Sequence, residues 1–298
     1  MLILLFLFWS IDVHSLVDYF STAKLVPMVI GVLGGLLLVQ MQVILSALRW
    51  QLTARALGLP ITTADAVREY YLASLMNQAL PGGVTGDAAR VLRSRHAKGT
   101  ATAAHSVMIE RLAGQVVLLG VTVAGLTISV WRVDAALLSA AWTLIRNAIW
   151  VSLALIVVLY AIHQVARGRV KRFIDDLRPA VNQAWFASGR WKKQLILSVS
   201  IVGSYVAMFA LAASAVSAQL PPIAWVTVVP LTLLAMALPI SIGGWGVREA
   251  AAAVLWPLLG MKAEAGIATS VLYGLISLAG SLPGLAFVRQ RAQENRCD

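Results

Sequence analysis

Charge is what this sequence has least of. Asp, Glu, Lys and Arg make up 12% of its 298 residues, where a soluble domain carries about 25% to stay solvated. With 59% hydrophobic residues and a mean hydropathy of +0.81, most of the surface must face lipid, which excludes an ordinary soluble enzyme. The single cysteine, Cys297, excludes an internal disulfide. The four histidines show no metal-ligand spacing, and H-E-x-x-H, C-x-x-C and G-x-x-x-x-G-K-[ST] are all missing, so neither a metal nor a cofactor is expected. The apolar run 1–11 lacks the basic flank and small-residue cleavage site of a secretory signal and reads as a short first span.

Long uncharged runs are what the sequence has instead. They cover 25–48, 112–131, 147–166, 194–247 and 265–288, and each is long enough for the roughly 20 residues that cross a bilayer as a helix. The fourth run is expected to fold back near Pro221-Pro222. With 1–11, this gives about six full spans. Of the 24 Lys and Arg residues, 18 fall in 49–98, 167–193 and the tail 289–298, and the positive-inside rule places these regions and both termini in the cytoplasm. The net charge of +11 therefore speaks for the inner face of a cell membrane, and no nucleic-acid partner is expected.

This placement leaves segments 64–92 and 222–260 each entering and returning on one side, from opposite faces. Their turns resemble each other: Ala79-Leu80-Pro81-Gly82-Gly83-Val84-Thr85-Gly86-Asp87 in the first, Ala237-Leu238-Pro239-Ile240-Ser241-Ile242-Gly243-Gly244-Trp245-Gly246 in the second. Pro81 and Pro239 are 158 positions apart, Gly86 and Gly246 are 160 apart. The expected fold is all-α: a single transmembrane domain with two re-entrant broken-helix hairpins in an inverted repeat. Its halves are 1–134 and 135–288, with a basic connector at 167–193 and a basic tail at 289–298. Irregular backbone at membrane depth is tolerated only where it lines a cavity or protein interior, which assigns that place to Pro81, Gly82, Gly83, Gly86, Pro239, Gly243, Gly244 and Gly246.

Charges near these turns are the candidate substrate-binding residues. Asp87, Arg90 and Arg93 follow the first turn, with Asp87 placed to cap a helix starting near Gly86 and the two arginines suited to phosphate. Glu110 and Arg111 lie inside a helix expected over 102–130, where ionised groups are costly. As helix neighbours they point about 100° apart, so each needs a partner elsewhere: Asp87 for Arg111, Arg90 or Arg93 for Glu110. Trp245, Arg248 and Glu249 follow the second turn, with Glu249 a candidate proton carrier and Trp245 a cavity wall. Trp50, Trp131, Trp191 and Trp225 read as an interfacial aromatic belt.

The run from Leu48-Arg49-Trp50 through Asn77-Gln78-Ala79-Leu80-Pro81-Gly82-Gly83 and Gly86-Asp87-Ala88-Ala89-Arg90 to Glu110-Arg111-Leu112-Ala113-Gly114 resembles the lysylphosphatidylglycerol synthase transmembrane region family. The stretch Leu238-Pro239-Ile240-Ser241-Ile242-Gly243-Gly244-Trp245-Gly246-Val247-Arg248-Glu249 is similar to its second signature. The resemblance implies a flippase-like protein that moves a lipid with a polar or anionic headgroup (phospholipid, hopanoid or polyprenyl-linked) between leaflets, with such lipids as partners and a separate lipid-modifying enzyme as a further one. Lysyl-transferring relatives carry a large soluble domain after the membrane part, whereas this chain ends ten residues after Val288, so lysyl transfer by it alone is not expected. A membrane-embedded headgroup transferase and a scaffold for a separate synthase are the alternatives.

Overall fold

A computed structural model describes residues 18–80, 83–95, 99–129, 168–236 and 243–288, together with positions 139 and 146. The runs 1–11 and 147–166, the turn residues Pro81, Gly82 and Pro239, Trp131, and the tail 289–298 lie outside the described residues. Among the described residues ten α-helices run in the order α1 (Leu25–Ala56), α2 (Thr63–Ala79), α3 (Thr85–Ser94), α4 (Gly99–Ser129), α5 (Arg169–Asp175), α6 (Leu177–Val181), α7 (Trp191–Ala215), α8 (Val228–Ala235), α9 (Val247–Leu255) and α10 (Ala263–Ser281). No strand occurs among the described residues, as an all-α membrane protein requires. Among the described residues four helices are long and apolar enough to cross a bilayer: Leu25–Ala56, Gly99–Ile128, Trp191–Ala215 and Ala263–Val288. They coincide with four of the six expected spans.

The helix boundaries follow from local chemistry. Pro27 sits in the first turn of α1, where its missing N–H costs nothing. α1 ends in a Schellman turn: Leu59 N–H reaches back to Ala54 O at 2.9 Å, and Gly58 N–H to Arg55 O at 3.0 Å, with Gly58 left-handed at φ +83°. α7 ends the same way 159 positions later, with Ala218 N–H to Ala213 O at 2.8 Å and Ser217 N–H to Ser214 O at 3.1 Å. There Ser217 adopts the left-handed conformation, φ +57°, that glycine takes in the first case. Thr62 opens α2 by accepting Asp65 N–H at 3.1 Å.

α1 and α7 pack antiparallel along their length: Gly31 faces Ala215, the Gln42 amide lies 3.7 Å from Met208 Sδ, Arg49 reaches Ser198, and Gln194 reaches Thr53. Around this pair the contacts recur two by two. α1 packs on α10 as α7 packs on α4, α2 on α10 as α8 on α4, and α3 on α4 as α9 on α10. The core joins Val39, Val43, Phe209, Val229, Trp256 and Tyr273 from these helices. Met108, Leu112, Val116 and Leu119 on α4 and Leu33 and Leu37 on α1 stay exposed, a face suited to lipid.

α2 and α3 form an antiparallel hairpin, with Asn77 beside Gly86 and Glu69 beside Arg93. α8 and α9 pack against each other in the second half. The described tip glycines Gly83, Gly243, Gly244 and Gly246 have φ of +61°, +56°, +86° and +85°, a conformation other residues rarely adopt. The connector α5–α6 docks on the end of the bundle where α1 finishes. Ala180 and Ala184 pack on Ala56, Leu57 and Ile109, and Phe173 stacks on His105, whose Nε2 lies 2.8 Å from Phe173 O.

Gly86 lies against α2 so closely that a Cβ there would strike the Ala73 carbonyl, whereas a Cβ at Gly120 would meet open space. Gly86→Ala is expected to cost about 1–3 kcal/mol through overpacking against rigid backbone, and Gly120→Ala to be neutral or slightly stabilising. Thermal unfolding of both variants in detergent checks this; equal midpoints would refute the close approach.

Candidate functional site

The centre of the first half is a chain of alternating charges supplied by three helices. Glu110 of α4, wholly buried, accepts through Oε1 from Arg49 Nη2 at 2.5 Å, Arg49 Nε at 3.1 Å and the Tyr70 hydroxyl at 3.1 Å. Its Oε2 lies 3.2 Å from Arg90 Nη2. Arg90 also holds Asp87 Oδ1 at 2.9 Å, and Asp87 Oδ2 pairs with Arg111. The sequence runs Arg49, Glu110, Arg90, Asp87, Arg111: three guanidiniums against two carboxylates. Both pairings expected from sequence, Asp87 with Arg111 and Arg90 with Glu110, are present. Lining up opposite charges in this way offsets the large cost of taking ions out of water.

Arg90 has no exposed surface. Its guanidinium lies between two rings, 4.6 Å from the centroids of both Trp50 and Tyr70. Arg49 lies against α4 where Gly114 has no side chain; a Cβ there would sit 3.1 Å from Nη1.

The second half repeats the device with different chemistry. Arg248, also without exposed surface, lies 5.3 Å from the Trp245 ring and 4.9 Å from the Tyr273 ring. It bonds Glu249 Oε1 through Nη2 at 2.7 Å and Ser270 Oγ through Nε at 2.8 Å. Ser270 in turn donates to Glu249 Oε1 at 2.9 Å, and Gly246 N–H donates to Oε2 at 2.6 Å. Ser270 stands 160 positions after Glu110, and Gly274, which makes room for Arg248 and Trp245, stands 160 after Gly114. Tyr205 on α7 links the clusters, lying within electrostatic reach of Arg49, Glu110 and Arg111 on one side and of Tyr273 on the other. The hairpin tips also meet, with Gln78 against Gly243.

Several expectations need correction. Trp50 is not an interfacial belt residue: it is 0% exposed, stacks on Arg90 and donates Nε1–H to Ser106 Oγ at 3.1 Å. Arg49 is a buried partner of Glu110 rather than a headgroup anchor, because α1 carries it past the apolar run into contact with α4. Trp225 packs against the core. Asp87 does not cap α3; its carboxylate is drawn sideways by Arg90 and Arg111, and Asn77 satisfies Gly86 N–H at 2.8 Å instead. Arg90, expected to suit a phosphate, is wholly enclosed by protein. Arg93 turns to Glu69 at 2.5 Å. Arg248 and Glu249 pair although they are sequence neighbours, because Glu249 folds back over the start of α9 and the long arginine follows it. Arg111 is different: its side chain is 46% exposed. Two open surface grooves, lined by Arg55 and residues 58–62 and by Leu48, Gln51, Leu52, Lys193, Ile196 and Leu197, include no residue of either cluster. No group of His, Cys, Asp and Glu suited to a metal ion is found among the described residues.

Sequence reasoning missed Arg49, Trp50, Tyr70, Ser270 and Tyr273. Arg49 adjoins an uncharged run and has the same one-letter signature as any positive-inside flank, so only its contact with Glu110 distinguishes it.

Membrane-length apolar helices around buried ion clusters define a polytopic helical membrane protein. The chain belongs to the lysylphosphatidylglycerol synthase TM region family, whose model matches residues 1–284, and this makes it a membrane protein linked to lipid handling. Comparison with curated proteins and with solved structures gave no match.

Glu110→Ala would leave Arg49 without its carboxylate and Arg90 with Asp87 alone. The expected cost is about 3–5 kcal/mol, and adding Arg49→Met should recover part of it by removing one of the two like charges. A double-mutant cycle in detergent unfolding measures the coupling; strict additivity would contradict the shared pair.

Proposed function

We propose that this protein moves a lipid with a polar or anionic headgroup between the leaflets of the cell membrane, using two hairpins related by an inverted repeat. The observation that carries the reading is the partly exposed Arg111 in a membrane-length apolar helix, in a cluster of three guanidiniums and two carboxylates. An excess cation in such a place favours an anionic visitor. The headgroup meets the charged cluster between the hairpins while its acyl chains stay along the exposed apolar faces.

The inverted repeat is supported by correspondences beyond the turn sequences. The terminal turns of α1 and α7, Glu110 and Ser270, and Gly114 and Gly274 match at 159 or 160 positions. Gly125 and Gly284, 159 apart, each approach a backbone carbonyl of the other half, Val226 and Tyr71. The corresponding helices α1 and α7 run antiparallel, as a two-fold axis in the membrane plane demands. In this arrangement the basic connector and both termini face the cytoplasm.

Cysteines placed singly at Thr85 and Ser241, with Cys297 replaced, should react with impermeant thiol reagents from opposite faces of the membrane; labelling from one side would sink the repeat. For the activity itself, the full chain in proteoliposomes is expected to translocate labelled phosphatidylglycerol or a polyprenyl phosphate faster than phosphatidylcholine. Arg111→Ala should slow this by about ten- to a hundredfold, the worth of a charge-assisted hydrogen bond. No movement of any lipid by folded protein would overturn the reading, and a lipid product of altered mass would favour a headgroup transferase.

A further inference from the structure

Three features of the first cluster are left unused by the pairing scheme. Arg111 is nearly half exposed although it lies 12 residues inside α4, about 18 Å along a helix that crosses a hydrocarbon core of about 30 Å. Its described ion-pair partner is a single carboxylate, Asp87. One helical turn on, Gln115 is exposed on the same face, and Leu112 and Val116 beside it are exposed too. Meanwhile Arg90, with no exposed surface, keeps Nε and Nη1 without a hydrogen-bond partner. Buried guanidinium donors are seldom left so, because each unpaired donor carries its desolvation cost.

From this we infer that the Asp87–Arg111 pair is displaceable: a lipid phosphodiester carrying one negative charge replaces Asp87 at Arg111, and Asp87 turns inward to complete a two-pronged contact with Arg90. The inference deepens the translocation reading and rests on it for the membrane placement of Arg111. Asp87 Oδ1 already lies on Arg90 Nη2 at 2.9 Å, so freeing Oδ2 from Arg111 lets it take the neighbouring Nη1 in the fork geometry that suits a carboxylate. The exchange nearly conserves contacts, since Arg111 gives up one anion and gains another, an orphan donor of Arg90 is satisfied, and Asp87 Oδ2 gives up only a long 3.5 Å contact from the Asn77 amide. It also accounts for the charge. Arg49, Arg90 and Arg111 against Asp87 and Glu110 leave an excess of one positive charge, which one phosphodiester neutralises, whereas the Arg248–Glu249 pair of the second half is already balanced and closed to solvent. Gln115, exposed one turn from Arg111, is placed to meet headgroup oxygens. Asp87 is thus an internal stand-in for substrate and sets selectivity for a single negative charge.

The test reads binding rather than transport, so that its failure and that of the translocation reading are distinguishable. The purified full chain in detergent is titrated with phosphatidylglycerol, phosphatidylcholine and diacylglycerol, and lipid retention is followed by native mass spectrometry. The parent should prefer phosphatidylglycerol over diacylglycerol by at least about tenfold, Arg111→Gln should abolish that preference, and Arg111→Lys should keep it in weakened form. Asp87→Asn should bind phosphatidylglycerol several-fold more tightly than the parent, because the competing carboxylate is gone. A purely structural pair predicts the opposite sign: a folded Asp87→Asn that binds no better than the parent would overturn the inference. Should that variant fail to fold, the Arg111 pair decides, and equal binding by Arg111→Lys, Arg111→Gln and the parent would overturn it. Glycerol phosphate that displaces phosphatidylglycerol at equal concentration would assign the site to a soluble phosphate and overturn the lipid; its failure to do so supports the lipid. The full binding pattern in a protein that translocates nothing would leave the displaceable pair standing and sink the transport reading alone.

Discussion

The Glu110 carboxylate is the point on which the first half of the structure turns. One side chain without exposed surface draws in Arg49 from α1, Tyr70 from α2 and Arg90 from α3, so four helices converge on two oxygen atoms. Nothing else in an apolar bundle could fix these helices so sharply. Packing of Leu, Val and Ala in a membrane is nearly degenerate in rotation and register, because lipid tails are as apolar as the side chains they compete with. A buried carboxylate is not degenerate: left unpaired it costs several kcal/mol, so the helices settle where its partners reach it. The hairpin α2–α3 is thereby tied to α4 through Arg90–Glu110 and Asp87–Arg111, and Gly114 leaves room for the Arg49 guanidinium against α4.

The two halves solve one problem with different residues. In each, an arginine just after a glycine-rich turn is buried between two rings, Trp50 and Tyr70 for Arg90, Trp245 and Tyr273 for Arg248. In the first half the carboxylate comes from a distant helix and further charges extend outward to Arg111. In the second, Ser270, 160 positions after Glu110, meets the arginine, and the carboxylate is supplied by the adjacent Glu249, which also ties the start of α9 through Gly246 N–H. The result is a charged, partly open cluster opposite a neutral, closed one. Tyr205 bridges them, and the meeting of Gln78 with Gly243 brings the two turns themselves together.

Much of this was legible in one dimension, and the reasons are physical. Spans are visible because lipid tolerates few charges over about 20 residues, so 25–48 and 265–288 announce themselves by composition. Glu110 and Arg111 stand out for the same reason, and topology suggests Asp87 for Arg111 and narrows Glu110's partner to Arg90 or Arg93, between which only the structure decides. Trp50 and Arg49 were not legible, since a Trp-Arg step beside an apolar run is the same string whether it sits at headgroups or in a buried cluster. Nor was the matched turn at Ser217, because the left-handed conformation that glycine makes visible at position 58 is hidden when serine adopts it.

The sequence by itself determined that the chain lives in a membrane, that its helices are long and apolar, and where its scarce charges and its Gly-rich turns fall. These are consequences of transfer free energies and backbone freedom, which act residue by residue. Only the tertiary structure decided which charges neutralise one another, that Arg90 and Arg248 are caged by aromatic rings while Arg111 reaches the surface, and that Ser270 joins Arg248 and Glu249. Those outcomes depend on side chains 20 to 61 positions apart meeting within about 3 Å, the range over which a charge-assisted hydrogen bond forms and which no pattern along the chain reveals.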